Sequence, residues 1–518
     1  MIDILSIRRS LKHSWNPFFS RFPRLTAIQA QTIPKILQGN NVVVASPTAS
    51  GKTEAVIAPL AERLITERWE GLSIVYIVPT RALANDALTR IQEPLFELGI
   101  TSALKHGDKP YLAKELPDCL ITTPESLDSL LCRRPEAFAS ARAVILDEIH
   151  ILDNTYRGDQ LRILLGRLKK SCPHRSLSVY LLSATLSAPD QIGKRYMDNF
   201  EVVSVLGQRG INYYILNSWS DIYQLTRAKG WKKVLCFCNF REIVEKMAHD
   251  IAPLWDPYPV VAHHGSLNKK VREEAENLMK EANVAVCVAT STLEIGIDIG
   301  NIDLVVLAEL PWSISSLLQR IGRGNRRSGL LHAAAVAQSE EEKSILEAMF
   351  ETAASGTLDL ENYEPDLSVT VQQIFSCLSQ KPEGIQEQEF IELLSPLIDE
   401  YELNLILGHL QQKSWIEWKG QWYASTLLMD KYEKGRIHSN IPDSLSYKVI
   451  DIDTGKEIGT IAGVFDEVFI LGQRAWKVVS VKENTIQVRR FSGKATSALF
   501  KRHKNYGAFH YLLPERLR

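Results

Sequence analysis

Short apolar runs punctuate the first 330 residues, each closed by a polar or glycine-rich turn. One set covers 42–45, 74–78, 144–146 and 179–182, and a second covers 234–237, 260–262, 284–289 and 304–308. Runs without polar alternation are typical of strands buried on both faces, as in a parallel sheet. Between them lie segments such as Ile243, Val244, Met247 and Ile251, spaced for one face of a helix. Strand and helix in alternation, twice over, predict two doubly wound α/β domains in tandem, joined near 207–210. Beyond about 360 the texture changes. The periodicity predicts short helices over 369–378, 390–397 and 403–410, then a tight hairpin over 415–422 around Lys419-Gly420, the order of a winged helix. From about 445 the pattern turns strand-like. Asp453-Thr454-Gly455 separates 447–452 from 457–462 as a hairpin turn, and strands are expected over 468–471, 476–481 and 486–490. The expected domains are 1–206 and 207–358, both α/β, then a winged helix over 359–435 and a small β-rich domain over 436–518.

Composition adds limits to this outline. Hydrophobic residues make up 45% and charged residues 23% of the 518, ordinary for a globular protein with a large core. The formal net charge of −1 leaves no global basic field, so contact with nucleic acid would depend on local patches and backbone donors. The seven cysteines show no zinc-site spacing and read as reduced thiols. The opening ten residues are charged early and lack a long apolar core, and no apolar run approaches the roughly 20 residues of a membrane span. A cytoplasmic protein without a membrane partner is expected.

The candidate chemistry sits at the ends of the first set of strands. Ser46-Pro47-Thr48-Ala49-Ser50-Gly51-Lys52-Thr53 follows the 42–45 run and precedes an apolar-periodic helix. A phosphate loop needs this context. Backbone N–H groups wrap the phosphates, Lys52 reaches the outer ones, and Thr53 holds magnesium. Thr48, Ser50, Gly51, Lys52 and Thr53 are therefore candidate ATP contacts. Ala49 stands where Gly is frequent, which stiffens the loop, and Pro59 is expected to kink the helix. Asp147-Glu148-Ile149-His150 ends the strand over 143–146. Asp147 is the candidate Mg²⁺ ligand and Glu148 the group that orients the attacking water. Ser183-Ala184-Thr185 ends a third strand and reads as a hydroxyl pair coupling the ATP site to a nucleic-acid track. Upstream, Gln29 offers an amide for the adenine edge and Phe22 a ring for its face, although Phe22 is equally readable as packing.

In the second set, Gln319-Arg320-Ile321-Gly322-Arg323-Gly324-Asn325-Arg326 concentrates guanidinium groups. Arg323 and Arg326 suit arginine fingers for the γ-phosphate, and Gly296 and Asp298 would approach the nucleotide from the same side. Taken in order, Gln29, Gly51-Lys52-Thr53, Pro79-Thr80-Arg81, Thr123-Pro124-Glu125, Asp147 to His150, Ser183 to Thr185, Thr290 to Asp298 and Gln319 to Arg326 resemble the superfamily 2 helicases over roughly residues 20–330. Arg157-Gly158, Cys236 to Arg241, His263-His264-Gly265-Ser266-Leu267 and Leu293 to Gly300 resemble the large helicase-related (Lhr) family more closely. Gly324-Asn325-Arg326 departs from that pattern, where a small residue, Gly and His are usual.

The resemblance implies two RecA-like domains with ATP and Mg²⁺ between them. It implies phosphate contacts from Thr80, Arg81, Thr123 and Thr290, and 3′-to-5′ movement on single-stranded or tailed DNA. The alternatives are an RNA or RNA–DNA hybrid helicase, a translocase, or an ATP-gated clamp in a repair or defence complex. His263 and His264 read as turn or strand contacts, not metal ligands. Trp415, Trp418 and Trp422 read as packing or as a base-stacking platform. Arg489, Arg490, Lys494, Lys501, Arg502 and Lys504 read as a solvated face or a second phosphate track.

Overall fold

The structure is a computed structural model. It describes residues 4–47, 50–109, 115–172, 176–184, 189–205, 210–290, 293, 300–324, 330–355, 363–442, 446–462, 468–471, 474–482, 485–491, 496–497 and 506–518. The chain folds into two compact units. The first combines 1–206 with 360–442 and 504–518, and the second combines 207–359 with 443–503.

In the first unit, β1 (Val42–Ala45), β2 (Ile74–Ile77), β3 (Ser102–Lys105), β4 (Cys119–Thr122), β5 (Ala143–Leu146), β6 (Ser178–Ser183) and β7 (Glu201–Ser204) form one sheet in the order β3-β4-β2-β5-β6-β1-β7. Every pairing among them is parallel. The apolar runs become fully buried strands because helices cover both faces of a parallel sheet. The helix Lys52–Thr66 continues through Pro59.

Helices Ser368–Gln380, Glu387–Leu394 and Glu400–Gln412 follow, with the antiparallel hairpin β14 (Ile416–Trp418) and β15 (Trp422–Ala424). The helix Ser368–Gln380 is buried along nearly its whole length. Several of its polar side chains join a buried network. Asp128 accepts from Arg167 at 2.7 Å, Ser376 at 3.0 Å and Gln373 at 3.0 Å, and lies 2.7 Å from His438 Nδ1. Arg167 also donates to Gln373 at 3.1 Å and Gln380 at 2.8 Å. Burial opposes ionisation of Asp128, but the His438 hydrogen bond and the Arg167 charge prevail and hold its pKa below the usual carboxylate range. Residues 506–518 pack here too, with Phe509, Leu512 and Leu513 in the same apolar cluster as Phe375 and Leu407, although the sequence pattern assigns them to the β-rich domain.

In the second unit, β8 (Gly210–Leu216), β9 (Lys233–Phe237), β10 (Val260–His263), β11 (Ala285–Ala289), β12 (Leu304–Leu307) and β13 (Leu330–Val336) form a parallel sheet ordered β10-β11-β9-β12-β13-β8. A mixed sheet follows, from β16 (Ser446–Asp451), β17 (Glu457–Ala462), β18 (Val468–Leu471), β19 (Arg474–Lys482), β20 (Thr485–Arg490) and β21 (Thr496–Ser497), in the order β17-β16-β20-β19-β18-β21. It is tied to the loop after β10. Thr460 N–H donates to the Ser266 carbonyl at 2.7 Å, Asn268 N–H to that of Ile458 at 3.1 Å, and Leu267 joins the mixed sheet's apolar cluster. A Cβ on Gly459 would lie 2.4 Å from the Ser266 oxygen, so this approach needs glycine. All seven cysteines are buried and outside any disulfide. Among the described residues no helix is long and apolar enough to cross a membrane.

Candidate functional site

The loop after β1 is shaped from two sides. Gly51 takes φ 86° and ψ 31°, and a Cβ there would lie 2.2 Å from Gln29 Nε2, so both conformation and space require glycine. Lys52 opens the following helix, and its Nζ donates to the carbonyls of Ser46 at 2.7 Å and Pro47 at 3.2 Å. That folds the ammonium back over the loop, where phosphate oxygens would compete for it. The Ser46 and Ser50 hydroxyls lie 2.6 Å apart. Gln29 sits in a capping box with Thr26, accepts from Thr26 N–H at 2.9 Å and donates to the Gly51 carbonyl at 3.3 Å. Its amide therefore braces the phosphate loop. Phe22 is exposed beneath the Arg21 guanidinium. Thr48 and Ala49 lie outside the described residues.

Asp147 and Glu148 leave β5 beside this loop. Asp147 accepts from the Tyr76 hydroxyl at 2.5 Å and from Glu148 N–H at 2.8 Å. Burial first, then the Glu148 charge, push the Asp147 carboxyl up to about 6, against the Tyr76 hydrogen bond and the Lys52 charge. Glu148 has φ 47°, a left-handed conformation that costs a side-chain-bearing residue on the order of 1–3 kcal/mol. Its Oε2 lies 3.5 Å from His150 Nδ1, and the same nitrogen lies 3.0 Å from the Ser183 hydroxyl. His150 thus joins the acidic motif to the first residue of Ser-Ala-Thr; Thr185 is outside the described residues. An oxygen donor set of this kind fits magnesium. Asp147 is a buried carboxylate whose ionised form a dication would stabilise, and the buried Thr53 bonds the same Tyr76 hydroxyl that bonds Asp147. Among the described residues no group of three His, Cys, Asp or Glu could hold a metal, so phosphate and water oxygens would complete such a shell.

The candidate strand contacts of the first unit lie on the same sheet edge. Thr80 follows β2 and caps the next helix, accepting from Leu83 N–H at 3.3 Å. Arg81 is exposed and pairs with Asp108 at 2.5 Å. Thr123 follows β4 at a helix N-cap, where its side chain bonds the Glu125 carboxylate and caps no backbone N–H of the helix. Behind it Arg157 grips Glu125 through two bonds of 2.6 and 3.0 Å, and a Cβ on Gly158 would meet the Leu152 carbonyl at 2.3 Å. The sequence marked Arg157-Gly158 without revealing this clamp, and it gave no sign of Tyr76.

In the second unit, Thr290 follows β11 and its N–H donates to the His263 carbonyl at 3.3 Å. His263 lies 2.9 Å from Glu276, and His264 lies 2.7 Å from Glu245 within the interior, so both histidines are internal contacts. Arg241 donates to Ser266 at 2.8 Å, a link not singled out in the sequence. Arg323 is buried just past the helix Ile314–Ile321. Arg326, Gly296 and Asp298 lie outside the described residues. Of the three tryptophans, Trp415 stacks on Phe375 at 5.1 Å and Trp422 is buried, whereas Trp418 is 44% exposed. Arg489 and Arg490 are exposed on β20, with Arg489 paired to Asp453 at 3.2 Å; Lys494, Lys501, Arg502 and Lys504 are not among the described residues.

A phosphate loop, an acidic strand end and a second parallel sheet define a protein with paired RecA-like domains. Residues 26–192 match the DEAD/DEAH box helicase family and residues 217–328 the helicase conserved C-terminal domain. The chain belongs to the superfamily 2 helicases, with its similarities on the Lhr side. It is 33% identical over 364 residues to ATP-dependent helicase Lhr-Core of Sulfolobus acidocaldarius, covering 62% of this chain and 41% of that protein. It is 28% identical over 547 residues to Lhr-Core of Methanocaldococcus jannaschii, covering 92% of this chain and 63% of the relative. The chain thus spans less than two thirds of the length of these relatives. Its fold is similar to that of Mycobacterium smegmatis Lhr bound to ssDNA and AMP-PNP, with TM-score 0.71, 24% identity and coverage of 83% and 62%. It is also similar to the DUF1998 helicase MrfA bound to DNA, with TM-score 0.74, 20% identity and coverage of 93% and 69%.

Proposed function

We propose that this chain is an ATP-dependent helicase or translocase that moves 3′ to 5′ along single-stranded DNA. The observation that carries the reading is the chain of contacts from Glu148 through His150 to Ser183. It gives the water-orienting carboxylate a physical link to the motif expected to report on the strand. In this reading Lys52 and the loop amides bind the outer phosphates of ATP, and Thr53 and Asp147 hold Mg²⁺. When bound, that ion neutralises phosphate charge. Glu148 orients the attacking water, and Arg323, with Arg326, stabilises charge on the γ-phosphate. Gly296 and Asp298 are assigned to the nucleotide, and Gln29 to its adenine edge. Thr80, Arg81, Thr123 and Thr290 hold backbone phosphates, which carry no sequence information. The helices and hairpin over 359–435 act as a winged helix.

DNA is preferred over RNA because the similar Lhr and MrfA structures contain DNA. Polarity comes from the family resemblance. The test uses duplexes with 3′ or 5′ single-stranded tails, with DNA or RNA as the loading strand. Unwinding from DNA 3′ tails alone is expected. Unwinding only from 5′ tails would overturn the polarity, and a strict need for an RNA loading strand would overturn the substrate.

A further inference from the structure

Four neighbouring strands of the second sheet end at one edge. Ala289 of β11 and Leu307 of β12 both stand in register with Phe237 of β9, and His263 of β10 with Ala289. The segments that follow, with Phe240, Ser266, Thr290 and Trp312, therefore leave the sheet side by side, at the carboxyl edge where α/β sheets take their ligands. Trp312 is 71% exposed. It stands edge-on to Phe240, with ring centroids 5.8 Å apart and planes at 86°. Neither ring belongs to the unit's apolar clusters.

The backbone under the pair is stitched down. Asn239 donates from N–H to Glu309 at 2.7 Å and from Nδ2 to the Leu310 carbonyl at 2.9 Å, and its Oδ1 accepts from Arg320 at 2.9 Å. Ser313, directly after Trp312, caps the next helix through Ser316 N–H at 3.1 Å. An indole left in water on so rigid a mount contributes nothing to the core. Its free face matches a planar aromatic ligand. At the same sheet edge, Arg241 after β9 and the Thr290 turn after β11 supply polar groups.

We propose that Trp312, braced by Phe240, is a stacking platform for one base of the bound single strand. This rests on the single-strand motor reading and adds a contact to a base where the other candidates contact phosphates. Every base has a π-face, so the platform tolerates any sequence.

The test titrates the full chain with a labelled oligo(dT) and with an abasic oligomer of the same length. Trp312→Ala weakens oligo(dT) binding about 5- to 100-fold, the range for removing a stacking aromatic, and leaves abasic binding unchanged. Trp312→Phe retains most of the affinity. Wild-type fluorescence minus that of Trp312→Phe is quenched by oligo(dT) and not by the abasic strand. Equal effects of Trp312→Ala on both oligomers, or a loss confined to ATP affinity or to capture of a protein partner, would overturn the platform while leaving the motor. If wild type binds neither oligomer, the single-strand reading fails and the platform with it.

Discussion

At the scale of single residues, the phosphate loop and the acidic motif make the sharpest claims. Lys52→Ala is expected to abolish nucleic-acid-stimulated ATP turnover, because Lys52 is the one lysine in the loop and its ammonium already lies over the loop carbonyls. Substantial residual turnover in a pure preparation would remove that assignment. Glu148→Gln should bind ATP yet hydrolyse it very slowly, since an amide keeps the shape but cannot accept a proton from water. A wild-type rate in a single-turnover assay would show that Glu148 is not the activating group. Arg323→Ala should lower kcat by up to about 10³-fold with little change in nucleotide affinity, as a group acting mainly in the transition state does. Loss of affinity at constant kcat would mark Arg323 as a ground-state contact. Much of this was legible because Gly51, Lys52, Asp147 and Glu148 follow apolar runs at short range. Tyr76 was not, since a tyrosine inside a buried strand reads as core until its hydroxyl is seen 2.5 Å from Asp147.

At the scale of elements, legibility followed the apolar runs. Eight strands stood out as unbroken apolar stretches. The sequence reading did not single out the edge strands β3, β7 and β8, which mix polar with apolar positions, nor the interior strands β4 and β13, whose Cys, Thr, His and Ala dilute the apolar signal although they are largely buried. The Asp128–Arg167 network was illegible for another reason: its members come from segments far apart in the chain. Arg167→Met should destabilise the first unit by about 3–5 kcal/mol, the cost of stranding a buried charge. Urea unfolding followed at the first transition checks this, and a loss below about 1 kcal/mol would contradict it. The pH dependence has a definite sign. The folded pKa of Asp128 is depressed, so its stabilisation is present above the unfolded value near 4 and is lost as the pH falls through the folded one. The gap between wild type and Arg167→Met should therefore narrow below about pH 4. Gly459→Ala should raise hydrogen exchange at Asn268 and Thr460 by about tenfold, since a contact 2.4 Å from the Ser266 oxygen forces the mixed sheet away from the loop. Unchanged protection there would mean the loop yields at little cost.

At the scale of the whole molecule, the near-neutral charge sets an expectation for binding. With a net charge of −1, salt sensitivity must come from a few local cations, so affinity for single strands should still fall steeply with salt. Arg81→Ala should reduce the slope of log K against log salt by about one, uniformly across sequences, measured by anisotropy at several salt concentrations. An unchanged slope would place Arg81 off the track, with Asp108 as its permanent partner. The domain plan read from the sequence treats the chain as consecutive beads. Each compact unit draws on separated segments of the chain, and short apolar stretches such as Phe509, Leu512 and Leu513 carry no periodicity that names their partner.

That interleaving matters on the ribosome, where a chain emerges N-terminus first and domains generally fold as units. Residues 1–206 leave the tunnel long before the helix Ser368–Gln380 that packs with them, and Phe509, Leu512 and Leu513 come later still. The second sheet likewise waits for 443–503 to complete its unit. The first unit therefore lacks its 504–518 segment until the last segment of the second unit has been made. A nascent chain paused before residue 506 would show chaperones and proteases the apolar surface that these last side chains cover.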